Sequence, residues 1–166
     1  MRPKVIRPLT RSQFKSLLMA TRKVRRIIEN FNIPMHEPAL GRWGIHDPPF
    51  LKKILHTAKF KQLAHQVFGE NVRPTYSFLS MYSDQGELLP HTDQKLCEYS
   101  IALCIQQKKV WPLYIEKKPG SGTYWTYRLK PGEAVFYSGT RQRHHRKLRK
   151  KGNCCDIALF HFQGKK

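Results

Sequence analysis

His91-Thr92-Asp93 sets an imidazole and a carboxylate two positions apart, and a second pair of imidazoles stands at His144-His145. In an extended segment side-chain direction repeats every second residue, so His91 and Asp93 point the same way. A third imidazole from a neighbouring strand completes two histidines and one carboxylate on one face of an octahedral cation. Three positions then stay open for other ligands, a donor set suited to Fe(II). By itself the triplet is a weak signal, because a chain with eight histidines can meet an aspartate at that spacing by chance. Its setting gives it weight.

The elements that must position these groups can be read around them. Tyr76 to Tyr82 alternates aromatic and small residues as a strand does, and Ser83-Asp84-Gln85-Gly86 marks a turn. Leu88, Leu89 and Pro90 lead directly into His91. Tyr99 to Ile105 reads as a buried strand, and Gly132 to Tyr137 as another, opened by the turn Lys130-Pro131-Gly132. Trp111 to Ile115 is an apolar run whose proline suggests an edge or a strand start. Pro119 to Gly122 is a turn and Thr123 to Arg128 a strand.

Toward the N-terminus the period changes. Thr10 with Gln13 resembles a capping box, and Phe14, Leu17, Leu18, Val24, Ile28 and Phe31 repeat at helical spacing, which predicts a helix from about Ser12 to Glu29. Asn32 to Pro49 holds four prolines and reads as an irregular loop. Asp47 before Pro48-Pro49 can cap a second helix with Phe50, Leu51, Ile54, Leu55, Leu63, Val67 and Phe68 on its inner face and Gly69 as its stop. Residue patterns alone give an α+β domain.

The order of these segments resembles the 2-oxoglutarate- and Fe(II)-dependent dioxygenases, with prolyl-4-hydroxylase-like members the nearest pattern. The resemblance rests on Tyr82, His91-x-Asp93, the strand Lys130 to Tyr137, His144 within Arg143-His-His-Arg146, and the closing strand Asp156 to Phe162, spanning about residues 74 to 163. It implies a double-stranded β-helix (jelly-roll) core over 73–166, buttressed by a helical part over 1–72, in one domain of 166 residues. It implies Fe(II) held by His91, Asp93 and His144, 2-oxoglutarate as co-substrate with ascorbate as an optional addition, and hydroxylation of a C–H bond of a peptidyl or other substrate with release of succinate and CO2. Tyr82 is assigned to hydrogen bonding of the co-substrate and Tyr137 to the pocket wall.

One departure stands out. Many members carry an arginine or lysine about ten residues after the second histidine to hold the distal carboxylate of 2-oxoglutarate, and here that position is Cys154. Arg146, two residues beyond His144 and thus on the same side of its strand, is the candidate replacement, since a planar guanidinium matches a carboxylate. The competing reading makes Arg146 a solvated member of a basic run. His144 is preferred to His145 as ligand because Arg146 then falls on the ligand's side.

Net charge is the second strong signal. Thirty-one Lys and Arg against eleven Asp and Glu give +20, with seven basic residues in the eleven from Arg141 to Lys151 and a second cluster at Arg22, Lys23, Arg25 and Arg26. Such a field attracts polyanions, nucleic acid above all, and Arg141–Lys151 is the expected contact. A rival reading is therefore a basic nucleic-acid-binding module whose His-x-Asp is accidental or inactive. A combined reading is an oxygenase acting on nucleic acid or on a protein associated with it.

Cys97, Cys104, Cys154 and Cys155 form no spaced disulfide framework and no Cys-x-x-Cys pair. With no apolar leader and no membrane-length apolar run, a reducing, cytoplasmic setting is expected. Among the other histidines, His36 and His46 fall in the proline-rich loop, His56 and His65 on a helix rim, and His161 within an apolar strand, where a hydrogen-bonded core histidine is expected.

Overall fold

In the computed structural model, residues 2–69, 71–83, 85–148 and 154–164 are described. Their strands are β1 (Val5–Ile6), β2 (Arg42–His46), β3 (Val72–Tyr82), β4 (Leu88–His91), β5 (Tyr99–Gln107), β6 (Leu113–Glu116), β7 (Tyr124–Tyr127), β8 (Ala134–Ser138), β9 (His144–Arg146) and β10 (Cys155–Gly164). The helices are α1 (Arg11–Asn30), α2 (Pro49–Leu55) and α3 (Ala58–Phe68). The strands form a larger sheet, β1-β8-β5-β10-β3-β2, and a smaller one, β4-β9-β6-β7, with antiparallel pairing throughout. Two antiparallel sheets with helices against the larger one make the expected double-stranded β-helix.

β5 is apolar at almost every position because it lies inside a sheet covered on both faces. Ile101, Leu103 and Ile105 join Leu17, Leu51, Leu55, Phe60 and Phe68 of the helices in one buried layer. Ala102 and Cys104, pointing the other way, join Leu113, Ile115, Trp111 and Tyr137 in a second layer between the sheets. β10 divides likewise: Ala158, Phe160 and Phe162 face the helices, while Cys155 and Ile157 face the small sheet.

α1 begins at a complete capping box, Thr10 Oγ1 accepting from Gln13 N at 3.2 Å and Gln13 Oε1 from Thr10 N at 2.9 Å. Phe31 departs from the predicted stripe: the helix ends at Asn30 and this ring is 76% exposed. Arg25 reaches the fully buried Asp156 of β10 as an ion pair.

Further expectations are corrected. The supposed loop from Asn32 to Pro49 contains β2, which pairs with β3 over Arg42↔Tyr82 to His46↔Phe78 and extends the larger sheet. The expected single second helix is two helices, because Thr57 ends the first and caps the next by accepting from Phe60 N. Asp47 caps neither. Its carboxylate accepts from Ser77 N and Ser77 Oγ, locking β2 to β3, and its φ of +47° turns the chain toward α2. Gly69 ends α3 in the left-handed conformation, as its placement predicts. Pro112 stands just before β6, which lies inside the small sheet rather than at its edge. Asp84 of the turn at 83–86 lies outside the described residues. No helix among the described residues is long and apolar enough to cross a membrane.

Candidate metal centre and its cavity

β4 and β9 pair with His91 opposite His144, which sends both imidazoles to the inner face of the small sheet with ring centroids 4.3 Å apart. Asp93 follows two residues later, its N–H donating to the carbonyl of Gly139 at 2.9 Å. Its Oδ1 lies 3.5 Å from His91 Nε2 and 3.4 Å from His144 Nε2. One ligand atom from each of the three residues thus falls within 4.8 Å of the others, a spacing that a single cation can bridge.

The surrounding hydrogen bonds aim these atoms. His91 Nδ1 contacts Leu89 O at 2.8 Å, and His144 Nδ1 contacts Gln142 O at 3.1 Å. A carbonyl only accepts, so in each neutral ring Nδ1 carries the proton and Nε2 presents its lone pair to the centre. Ser100 Oγ donates to Asp93 Oδ2 at 3.1 Å, leaving Oδ1 toward the imidazoles. Gly139 permits this approach: a Cβ there would collide with Cys97 O and stand 2.5 Å from Asp93 Oδ2.

Burial works to raise the Asp93 carboxyl, but bonds to His144 and His91 and the nearby imidazole charge hold it well below the usual carboxylate range. Asp93 is therefore ionised at neutral pH. The same bond from Asp93 raises His91 against its burial. The His144 side chain is 3% exposed and that of His91 39%, so the open side of the triad is the His91 side.

The triad opens on a cavity of about 340 Å³ between the sheets, lined among others by Tyr82, Tyr137, Arg42 and Arg146. Arg146 faces the cavity with His144, while His145 between them faces outward. The Arg146 guanidinium donates to the Trp111 carbonyl and lies 5.0 Å from the Trp111 ring centroid. The residue is 4% exposed, and no carboxylate lies within ion-pair distance of it among the described residues. Tyr82 and Tyr137 are buried, and burial pushes both phenols up, keeping them as protonated donors.

Arg42, the second guanidinium in the cavity, was not legible as a site residue because it lies in the segment that reads as a loop. It pairs with Glu37 and donates to Ser80 Oγ and Tyr82 Oη at 3.4 Å each. Ser100 carried a usable signal, a hydroxyl inside an otherwise apolar run. Gly139 carried none beyond its small size. His161 is buried, with Nδ1 2.9 Å from Ser100 Oγ and its ring 4.6 Å from that of Tyr76. His36, His56 and His65 are exposed, away from the triad, and exposed His46 stacks on Tyr76. Of the basic run, Arg149, Lys150 and Lys151 lie outside the described residues.

No known protein family matches the chain in sequence, and no curated protein sequence does. Solved structures match in fold. The α-ketoglutarate-dependent epimerase SnoN from nogalamycin biosynthesis superposes with a TM-score of 0.76 at 11% identity, over 98% of this chain and 77% of that one. A Pseudomonas putida prolyl-4-hydroxylase gives 0.70 at 11% identity, over 99% of this chain and 93% of that one. A 2OG-Fe(II) oxygenase family oxidoreductase from Burkholderia pseudomallei gives 0.58 at 11% identity over 69% of this chain, which spans 55% of that protein's length. These likenesses establish the fold, one shared with 2-oxoglutarate- and Fe(II)-dependent oxygenases.

Proposed function

We propose that this protein is a non-haem Fe(II)- and 2-oxoglutarate-dependent oxygenase that hydroxylates a C–H bond, with His91, Asp93 and His144 as the metal ligands. The observation that carries this reading is the coincidence, in one cavity, of a facial set of two imidazoles and one carboxylate with a buried guanidinium that has no carboxylate partner among the described residues. A buried cation without a counter-ion is costly, and an anionic ligand relieves it. Asp93 is already ionised and both Nδ1 atoms are engaged, so the three donor atoms are in the protonation state and orientation that a divalent metal requires.

Bound there, Fe(II) with 2-oxoglutarate supplies the oxidising power that turns dioxygen and a C–H bond into a hydroxyl group, with succinate and CO2 released. The chain's own groups bind and orient. Arg146 holds the distal carboxylate of the co-substrate through its planar fork, and Tyr82 donates its phenolic hydrogen to the same end. Tyr137, buried against the His144 ring at 4.6 Å between centroids, closes the wall and excludes water from the ligand. The more exposed His91 side leaves room for the substrate. The fold shared with prolyl-4-hydroxylases supports a peptidyl substrate.

The test is Fe(II)-dependent conversion of 2-oxoglutarate to succinate, with anaerobic titration of Fe(II) followed by absorbance and circular dichroism. Succinate release by the intact chain, lost together with Fe(II) affinity in His91→Ala and Asp93→Ala while far-ultraviolet dichroism is kept, supports the assignment. Retained iron affinity in both variants contradicts it.

A further inference from the structure

The outward face of the small sheet carries chemistry that the metal centre does not use. Alternation along β9 sends His144 and Arg146 inward, leaving Arg143, His145 and Lys147 outward. His145 lies opposite Tyr114 of β6, and the two rings stack with centroids 4.8 Å apart and planes 11° apart. Tyr124 of the edge strand β7 meets His145 edge-on at 4.7 Å. All three rings are only partly covered, so they form one aromatic patch open to solvent. His145 Nδ1 is shielded from water and has no hydrogen-bond partner among the described residues.

Cations frame this patch. Lys147 Nζ stands 5.3 Å over the Tyr114 ring, and Arg143 and Arg128 are exposed at the ends of β9 and β7. Glu116, an acid of β6 on this face, is buried with its carboxylate accepting from the N–H groups of Gly122 and Arg143. It does not project into the patch. Charge alone would attract any polyanion, but flat π faces between cations add a preference for unpaired bases, which stack, over carboxylates, which do not.

We propose that this face binds single-stranded nucleic acid, with bases stacked on the Tyr114–His145–Tyr124 patch and phosphates held by Arg143, Lys147 and Arg128. The site is separate from the metal centre, lying across β9 from it, and stands whether or not the oxygenase reading does. A duplex keeps its bases inside and can offer only phosphates here. The chain's net charge of +20 supplies the long-range attraction, and the aromatic patch supplies the choice among polyanions.

Fluorescence anisotropy of the full chain with labelled oligouridine and oligothymidine of about 12 nucleotides, within the usual site size of such platforms, tests this at about 0.15 M salt. A duplex of the same length and poly-glutamate serve as competitors. The expected result is that single strands bind at least about tenfold tighter than either competitor, and that Tyr114→Ala with Tyr124→Ala removes that margin without changing the salt slope. Arg143→Gln with Lys147→Gln should lower the slope of log K against log salt by about 1.4. Cross-linking of a bromouridine oligonucleotide to the unmodified chain, mapped by mass spectrometry, gives a reading independent of how the variants fold. Cross-links on the peptides holding Tyr114, Tyr124 or His145 support the site. Cross-links elsewhere, equal binding of duplex or poly-glutamate, or tyrosine variants that fold and keep full preference overturn it.

Discussion

The larger sheet is packed on both faces, between three helices on one side and the cavity on the other, whereas the smaller sheet has one face on the cavity and one in solvent. That difference divides the labour. In the larger sheet a polar side chain is an exception that must be satisfied: Asp156 by Arg25 and Gln106, His161 by Ser100, Ser77 by Asp47. In the smaller sheet alternation gives each strand two chemistries, and β9 shows it most compactly, with His144 and Arg146 inside and His145 outside. Rigidity comes from one sheet, and the two candidate imidazole ligands come from the other. Asp93 joins them, fastened to Gly139 beyond β8 and to Ser100 of β5.

Packing in the larger sheet should carry most of the stability. Phe160 is fully buried, its ring centroid 4.7 Å from that of Phe60. Phe160→Ala should cost about 3–5 kcal/mol, read by urea unfolding. Because Phe160 faces the helices, Fe(II) affinity measured below the transition should stay within about threefold of the parent, a difference of well under 1 kcal/mol.

The same sheet should set the acid limb of stability through His161. Burial lowers this imidazole to about 4 from the usual 6.5; Asp93 opposes that shift, while His144 and His46 add to it. Between those values the unfolded chain binds the proton that the folded chain refuses, so stability of the metal-free protein should fall as pH drops from 6.5 to 4, by up to about 3 kcal/mol. His91 acts in the opposite direction above pH 6.5. Its raised folded value gives stability that is fully present below 6.5 and is lost as pH rises through that value. Unfolding free energies of the metal-free chain should therefore peak near pH 6.5, and His161→Gln should flatten the acid limb alone. An acid limb unchanged in that variant would assign the loss to other groups.

The junction between the sheets is tested by Gly139→Ala. The added methyl would meet a backbone carbonyl and the Asp93 carboxylate, neither of which is a flexible chain end, so Asp93 must move. A loss of Fe(II) affinity on the order of 100-fold is expected by isothermal titration, comparable with removing a group that orients a ligand. Thr126→Ala, on the exposed side of β7, should leave that affinity unchanged.

How far these features were legible follows the same division. In the larger sheet β5 and β8 read as near-continuous apolar runs because both faces are covered, β3 reads by its alternation of aromatic and small residues, and the capping box of α1 is a local signal independent of tertiary structure. β2 was not legible. Arg42-Trp-Gly-Ile-His46 alternates only Trp43 and Ile45 with Arg42, Gly44 and His46, too short a pattern to stand out among prolines, and it becomes a strand because β3 offers it an edge. Asp47 looked like a helix cap because it precedes two prolines, yet Ser77 from a distant strand captures its carboxylate. The triad was legible as residue types at a spacing, and its convergence depended on the pairing of β4 with β9, which a three-residue strand cannot announce. Arg42 and Gly139 enter the site through tertiary contact alone. Arg146 was legible by parity with His144, but its burial without a carboxylate partner was not.

That last property yields the smallest effect and the one that most sharpens the contrast between the faces of β9. Arg146→Met keeps much of the side-chain volume and removes a buried charge that no carboxylate among the described residues balances. In the metal-free chain the change should be neutral or stabilising by about 1 kcal/mol in urea unfolding, since an apolar group replaces an uncompensated ion. On the proposed assignment the requirement for 2-oxoglutarate should rise by about tenfold or more, since the distal carboxylate would lose its charged, bidentate partner. Lys147→Met, the next residue and on the solvent side, should alter neither quantity measurably. Opposite signs for stability and co-substrate affinity at Arg146 mark a group held in readiness for an anion. A variant that is less stable and binds 2-oxoglutarate unchanged would make Arg146 a structural brace on the Trp111 carbonyl, and the anchor would then have to be Arg42, released from Glu37.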